Sequence, residues 1–264
     1  MLKVITLLNE KGGCGKTTIS THLAVGLAIQ GRKVILVDID PQANATQALG
    51  LPPQPLVHDL IVRTMAWKDA LRPISREYYA LDGASNGGAL LCVPGDIESR
   101  NIALNISSNA IIRQRFAEMR NAVDYIIVDT APTPGLINEA IISASDYVIL
   151  PTKPEEFDAF IGVPNALEHV NNVHQIAAER GHRIAQPLGI IPNMYRAKTA
   201  SHQYVMQEMK RTHGDLMWEP INLAAAFVEA QLQGQFVYHT DSRAADQMWS
   251  IVDRVLQMTE VHHG

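Results

Sequence analysis

The chain is poor in cysteine, in aromatic rings and in long apolar runs. Only two cysteines occur in 264 residues, too few for a disulfide scaffold and in keeping with a reducing compartment. Aromatic residues make up 6%, so the core has to be built largely from aliphatic side chains. No stretch of about 18 apolar residues appears, so no membrane-spanning helix is expected. The apolar run near the N-terminus covers only Val4 to Leu8. A charged, glycine-rich loop follows it where a signal peptide would carry a small-residue cleavage site, so it reads as a buried first strand. Excess positive charge is lacking too: 22 Lys+Arg stand against 27 Asp+Glu, a formal net charge of −5. That excludes a globally basic nucleic-acid binder and leaves room for a local basic patch. With 47% hydrophobic residues, a chain of this length can bury a full core, and residues 1–264 read as one domain.

What is present is an alternation of short apolar runs with helix-period stretches. Candidate strands are Lys3–Leu8, Val34–Asp38, Leu90–Val93, Tyr125–Asp129, Tyr147–Pro151 and Leu188–Ile191. Most are nearly continuous Val, Ile and Leu, the pattern of strands buried on both faces. Helical patterns cover roughly 16–30, 109–121, 136–144, 158–180, 199–212 and 242–258. Strand and helix in alternation predict an α/β fold, a mainly parallel twisted sheet with helices on both faces. Gly31 stands where a helix C-cap belongs. Residues 50–89 hold Pro52-Pro53, Pro55, Pro73 and Gly87-Gly88 and read as an irregular surface excursion with short helices, and 259–264 as a frayed tail.

The strongest signal is Asn9-Glu10-Lys11-Gly12-Gly13-Cys14-Gly15-Lys16-Thr17-Thr18, which follows a strand and opens a helix. Glycines let the backbone turn tightly and aim its N–H groups at phosphate oxygens, and a helix N-terminus adds positive potential. Lys16 can reach the β- and γ-phosphates, and the Thr17 hydroxyl can ligate Mg²⁺. The ordinary template G-x-x-x-x-G-K-[ST] has glycine where Glu10 stands, and a second lysine, Lys11, comes next. A dinucleotide fingerprint fails, because Gly13-x-Gly15 is followed by Thr18. Two later strands end in carboxylates: Asp38-Ile39-Asp40-Pro41-Gln42, and Ile126-Ile127-Val128-Asp129-Thr130-Ala131-Pro132. A lone aspartate there is often only a cap or turn former. Three beside a phosphate loop, at the sheet edge where parallel strands bind ligands, point to metal and water positioning.

These motifs together resemble the ParA/MinD group of deviant Walker A ATPases, nearest to ParA-type partition ATPases and their chromosomal Soj-like members. The likeness runs over nearly the whole chain. It takes in Asn44-Ala45-Thr46, Pro134-Gly135-Leu136, Ile191 to Tyr195, and more loosely Glu219-Pro220 through Glu229-Ala230. The resemblance implies that Lys16 and the amides of Gly12, Gly13, Cys14, Gly15, Thr17 and Thr18 hold the phosphates of ATP. It implies that Thr17 ligates Mg²⁺ with Asp129 acting through a metal-bound water, and that Asp38 supports the outer metal shell. Asp40 would orient the attacking water, and Lys11 would cross a homodimer interface to the partner's nucleotide. Asn193 and Pro220 are expected at the adenine. The implied activity is slow ATP hydrolysis, stimulated by a ParB-like, cargo-bound activator, in a cytoplasmic, nucleoid-associated protein.

The same resemblance suggests nonspecific DNA binding through Arg196, Lys198, Lys210, Arg211 and Arg243. Relatives that repress an operon carry an additional N-terminal DNA-reading domain, whereas this sequence starts with strand one, so specific operator binding is not expected. Ile221-Asn222-Leu223-Ala224 lacks the arginines common in that family segment. A membrane-positioning relative would need a basic amphipathic tail, which the final helix and Glu260-Val261-His262-His263 do not supply. A nitrogenase-type iron protein would need cluster cysteines, yet Cys14 lies in the phosphate loop and Cys92 in a strand. The competing class is a metabolic or assembly ATPase that uses the same loop on a protein target without DNA.

Overall fold

The computed structural model describes residues 1–81, 87–106, 108, 110–132, 135–155, 158–179, 185–240 and 242–260. Among them, seven strands form one sheet: β1 (Lys3–Leu7), β2 (Lys33–Asp38), β3 (Arg72–Pro73), β4 (Ala89–Val93), β5 (Tyr125–Asp129), β6 (Tyr147–Thr152) and β7 (Gln186–Pro192). Their order is β3-β4-β2-β5-β1-β6-β7. Every pairing is parallel except the β3–β4 edge. The mainly parallel sheet expected from the sequence is therefore present. The antiparallel edge strand was not expected: it is two residues long and contains Pro73, a residue tolerated at an edge because it has no N–H to donate.

The helices are α1 (Lys16–Ile29), α2 (Asn44–Ala48), α3 (Leu56–Val62), α4 (Trp67–Ala70), α5 (Ile102–Asn105), α6 (Ala110–Ala117), α7 (Leu136–Ala144), α8 (Val163–Glu179), α9 (Ala200–His213), α10 (Ala226–Leu232) and α11 (Ser242–Glu260). A π-helical turn at Asp158–Gly162 leads into α8. Helices α1 and α11 cover one face of the sheet, where Leu23, Leu27, Leu36, Ile127, Val252 and Val255 meet. Helices α3, α6 and α7 cover the other, around Ile35, Val57, Leu60, Phe116, Ile126 and Ile141. A third cluster joins β6 and β7 to α8 and α9.

Helix α1 is central, and nearly all of it is buried. Gly31 at φ +82 turns the chain out of it, with Gly31 N bonded to Ala28 O and Arg32 N to Leu27 O, as its place in the sequence implied. Glycine inside a helix normally costs about 1 kcal/mol against alanine. At Gly26 the sign reverses, since a Cβ would lie 2.5 Å from Tyr238 Oη and 2.6 Å from Val252 Cγ2. The missing methyl lets α11 lie directly on α1.

Two expectations about the periphery need correction. Residues 50–89 are not merely a surface excursion: Val57, Leu60, Ile61, Ala70 and Ile74 are buried, and β3 extends the sheet. The prolines break this segment into pieces too short to show a period, yet each piece still buries its apolar side. The frayed tail does not begin at 259. Thr259 is buried and its hydroxyl lies 2.8 Å from Tyr125 Oη, while Arg32 donates to both carboxylate oxygens of Glu260 at 2.9 and 2.8 Å. That pairing holds the Glu260 carboxyl below its ordinary range. Residues 261–264 lie outside the described residues. So do Thr133 and Pro134, and with Pro134 part of one family-like segment.

On α1, His22 is buried among Phe227, Phe236 and Tyr238. Its Nδ1 lies 2.7 Å from Thr18 O, and its Nε2 accepts from Val237 N at 3.4 Å. Nδ1 therefore carries the proton of a neutral ring. Burial pushes the pKa from 6.5 down to about 4, against the opposing Thr18 hydrogen bond. Above pH 6.5 the ring is neutral in both the folded and unfolded states. Below it the unfolded chain takes up a proton that the folded one refuses, so stability is lost as pH falls from 6.5 through 4, by about 3 kcal/mol in full. His22→Gln should shrink the fall in melting temperature between pH 7 and pH 4.5. Equal falls in parent and variant would show that His22 does not carry this acid sensitivity.

Candidate functional site

The parallel register sets the site. Leu7, Asp129 and Asp38 are aligned partners across β1, β5 and β2, in one row at the carboxyl ends of adjacent strands. The loop from Leu8 to Gly15 leaves β1 at this row and returns as α1. Gly13 (φ +72) and Gly15 (φ +92) both take the left-handed conformation, which side chains disfavour.

The loop is tied down from both sides. Asn9 donates from Nδ2 to Pro151 O at 2.6 Å, and its Oδ1 accepts from Lys11 N at 2.8 Å. Asn193, at the end of β7, donates from Nδ2 to Cys14 O at 2.9 Å and accepts from Met194 N at 2.9 Å. A Cβ on Gly15 would collide with this same Asn193 amide. Sequence reasoning put Asn193 at the adenine. In the structure its side chain is buried, with the amide group engaged on the phosphate loop and on Met194. Pro220 lies on the segment beside it, where Ile221 N donates to Pro192 O and Tyr195 N to Ile221 O.

Lys16 is buried. Its ammonium donates to Asn9 O at 2.8 Å and Lys11 O at 3.3 Å, so it lies across the mouth of its own loop. Cys14 is buried, with Sγ 3.4 Å from Lys11 O. Gly12 and Gly13 are exposed, and the Thr18 carbonyl is occupied by Thr21 and His22. Lys11 is half-exposed and reaches Glu155 Oε2 at 3.7 Å. One residue was missed: Lys153, just past β6, brings Nζ to 3.9 Å from where a Gly13 Cβ would be. Its only trace in the sequence is a lysine at the carboxyl end of a buried strand, about 140 residues from the loop by chain position, a separation no local motif bridges.

Thr17 donates to Asp129 Oδ2 at 2.8 Å, while Asp129 Oδ1 is buried with no hydrogen-bond partner among the described residues. Burial, then the charge of Asp38, pushes the Asp129 pKa up to about 8. Asp38 is also raised, to about 6, by burial in the first place, with the Thr46 hydrogen bonds opposing. Asp38 accepts three donors: Thr46 N and Thr46 Oγ1 on Oδ2, both at 2.7 Å, and Asp40 N on Oδ1 at 3.2 Å. Its lone pairs thus organise the loop after β2. Asp40 is buried and accepts from Gln42 N at 2.9 Å. An orphaned carboxylate oxygen beside a hydroxyl, in a site that penalises negative charge, fits a small hard cation. Among the described residues no group of three or more His, Cys, Asp or Glu forms a metal cage. Mg²⁺ needs none, since it keeps waters and takes its remaining ligands from substrate phosphates.

The five basic residues separate into two groups. Arg196, Lys198 and Arg243 line one open cavity of about 590 Å³ together with Tyr195 and Gln247. Lys210 and Arg211 lie at the far end of α9, about 15 Å along the helix from its first residue, Ala200, and Arg211 is paired with Glu208 at 2.9 Å. No helix among the described residues is long and apolar enough to cross a membrane.

A profile of the family described as "AAA domain" matches residues 2–180. The chain is similar to the sporulation initiation inhibitor protein Soj of Bacillus subtilis, 28% identical over 252 residues, covering 93% of this chain and 95% of that protein. Among solved structures it is similar to an ATP complex of McdA from Cyanothece, with a TM-score of 0.79 and 23% identity over 97% of this chain and 96% of that one. It is also similar to cobyrinic acid a,c-diamide synthase of Mycobacterium smegmatis with ADP and magnesium, with a TM-score of 0.78 and 23% identity over 98% and 96%. At such identities these structures speak for the fold alone.

The Asn193 tie can be tested without any ligand. Asn193→Ala should speed hydrogen exchange of the amides at 11–18 by about fivefold to tenfold, the worth of one hydrogen bond. Gly15→Ala should be destabilising alone and less so when combined with Asn193→Ala, because the collision is relieved while the backbone strain stays. Strictly additive melting shifts, or unchanged exchange, would remove Asn193 from this role.

Proposed function

The chain belongs to the AAA-domain family as a ParA/MinD-type ATPase close to the Soj-type partition ATPases, and on that premise we propose an ATP-driven dimerising switch that positions DNA or another large cargo. The observation that carries the nucleotide half is the Thr17–Asp129 pair, with its orphaned oxygen, at the mouth of a glycine loop opening α1. ATP phosphates would take the loop amides and the positive end of α1. Lys16 would exchange two carbonyls for phosphate oxygens, a stronger charge-assisted contact. Thr17 and Asp129 would hold Mg²⁺, which supplies charge neutralisation on the phosphates when bound. Asp40 would orient the water. Phosphoryl transfer asks mainly for positive charge and an aligned nucleophile, and these residues supply both.

Two features support dimerisation over this edge. Lys11 forms a half-exposed ion pair to Glu155 at 3.7 Å, a kind of surface pair worth little in water, so giving up that pair for a second subunit's phosphate costs little. Ile97, Leu136, Phe160, Ile161 and Leu223 are all exposed. Of these, Ile97, Leu136, Phe160 and Ile161 lie on the segments that leave the carboxyl ends of β4, β5 and β6, the sheet edge that carries the phosphate loop, and would give a second copy apolar surface to cover. For DNA, the cavity lined by Arg196, Lys198 and Arg243 supports nonspecific phosphate contact. A cargo-bound activator of the ParB kind and location on the nucleoid complete the reading.

Lys16→Ala should weaken Mg-ATP binding about 100-fold by calorimetry, as loss of a charged hydrogen bond at the phosphates implies. Asp40→Ala should bind ATP normally, hydrolyse about 100-fold more slowly and accumulate as dimer. Lys11→Ala should bind ATP and stay monomeric by light scattering. A Lys11→Ala protein that dimerises and hydrolyses like the parent would replace the switch by an ordinary monomeric NTPase.

DNA binding should appear with ATP, show no sequence preference and collapse with salt, with a log–log slope of roughly −0.9 per phosphate contacted. Lys198→Ala and Arg243→Ala should weaken all sequences alike and leave dimerisation intact. Lys210→Ala and Arg211→Ala should do much less, because they lie outside the shared cavity. An ATP-bound dimer that ignores DNA at low salt would favour the rival reading, an ATPase acting on a protein target.

A further inference from the structure

Asp40 does not position itself. Its backbone N–H is fixed on Asp38 Oδ1, and Asp38 is in turn held on its other oxygen by Thr46, through both the amide and the hydroxyl at 2.7 Å. The same Thr46 hydroxyl accepts from Gly95 N at 3.1 Å. Gly95 sits just past β4, so close to β2 that a Cβ would run into the Asp38 carbonyl oxygen. Gln54 N donates to Gly95 O at 3.1 Å and Val57 N to Pro94 O at 3.0 Å. A continuous line of hydrogen bonds thus runs from the head of α3, through the loop after β4, to Thr46, Asp38 and the Asp40 loop. Thr46 is the only member that contacts the lines on both sides through one rotatable hydroxyl. Thr46 is fully buried.

We infer that Thr46 is a positioning residue for hydrolysis: its hydroxyl joins the β4 loop to Asp38 and so sets the Asp40 carboxylate. This rests on the reading of Asp40 as the water-orienting group. Helix α2 keeps its place by other means, since Ala45 and Leu49 are buried in the core against α1 and β2. Loss of the hydroxyl therefore leaves the helix and removes the link. Two bonds go together: Asp38 Oδ2 keeps only the Thr46 amide, and Gly95 N–H is left unpaired, a state buried donors avoid. The carboxylates then relax away from one fixed geometry, and misplacement of a water-orienting group lowers turnover far more than binding. The line also gives the segment 54–57, remote from the loop in sequence, a physical hold on the hydrolytic residues.

The test is basal Mg-ATP hydrolysis by the full chain, with nucleotide affinity measured beside it. Thr46→Val should lower kcat about tenfold with the dissociation constant for ATP within twofold of the parent, and Thr46→Ser should restore the rate. In an Asp40→Ala background Thr46→Val should have no further effect on rate, because its influence passes through that carboxylate. A merely structural role would lower melting temperature and not show this dependence. Should Thr46→Val fail to fold, Thr46→Cys keeps the shape with a weaker donor and should give a rate between the parent and Asp40→Ala. Parental rates in Thr46→Val or Thr46→Cys, with Asp40→Ala slow, overturn the inference alone. A parental rate in Asp40→Ala overturns the reading beneath it.

Discussion

The constraint on which the rest depends is the in-register pairing of β2, β5 and β1, which lines up Asp38, Asp129 and Leu7. In a parallel sheet all strands end at the same edge, so one row of residues decides what chemistry that edge carries. Here the row puts two carboxylates against the root of a glycine loop, in a core that pushes both away from their charged form. A one-residue slip in β5 would turn Asp129 to the opposite face and replace it by Val128 or Thr130. The aliphatic strand interiors, packed on both faces, exclude that slip.

Much of this was legible in advance, because the informative residues are local. Six of the strands show as apolar runs, and the loop shows as glycines between a strand and a helix. The antiparallel β3 did not show, since two residues have no period. The short helices α2 to α5 and α10 are too brief for periodicity and are held by burial in place of propensity. Within the site, residue identity was readable and orientation was not. The Asp38 motif marks a carboxylate at a strand end, and nothing in it says that both oxygens are turned to backbone and hydroxyl donors. Asn193 stands at a strand end as expected, yet its engagement with Cys14 depends on two loops nearly 180 residues apart. Lys153 belongs with it, because its nearness to Gly13 is purely tertiary.

The electrostatic balance has one direction. Lys16 covers loop carbonyls, Lys11 leans on Glu155, and Asp129 keeps one oxygen bare. In the proposed reading, a polyanion with a divalent cation draws on all three groups. The site is thus assembled around opposite charges that are best satisfied together, which favours the loaded pair over either ion alone.

The close contact at Gly26, where Tyr238 and Val252 fill the space a methyl would need, has a mechanical corollary. Helix α1 is clamped along its length by α11, whose far end is bolted to Tyr125 and Arg32. The half of the site that rides on α1 is therefore anchored by core packing. In the proposed reading, any adjustment on loading falls to the loop after β2, which hangs on the hydrogen bonds among Asp38, Asp40, Thr46 and Gly95 where α1 rests on packed hydrocarbon.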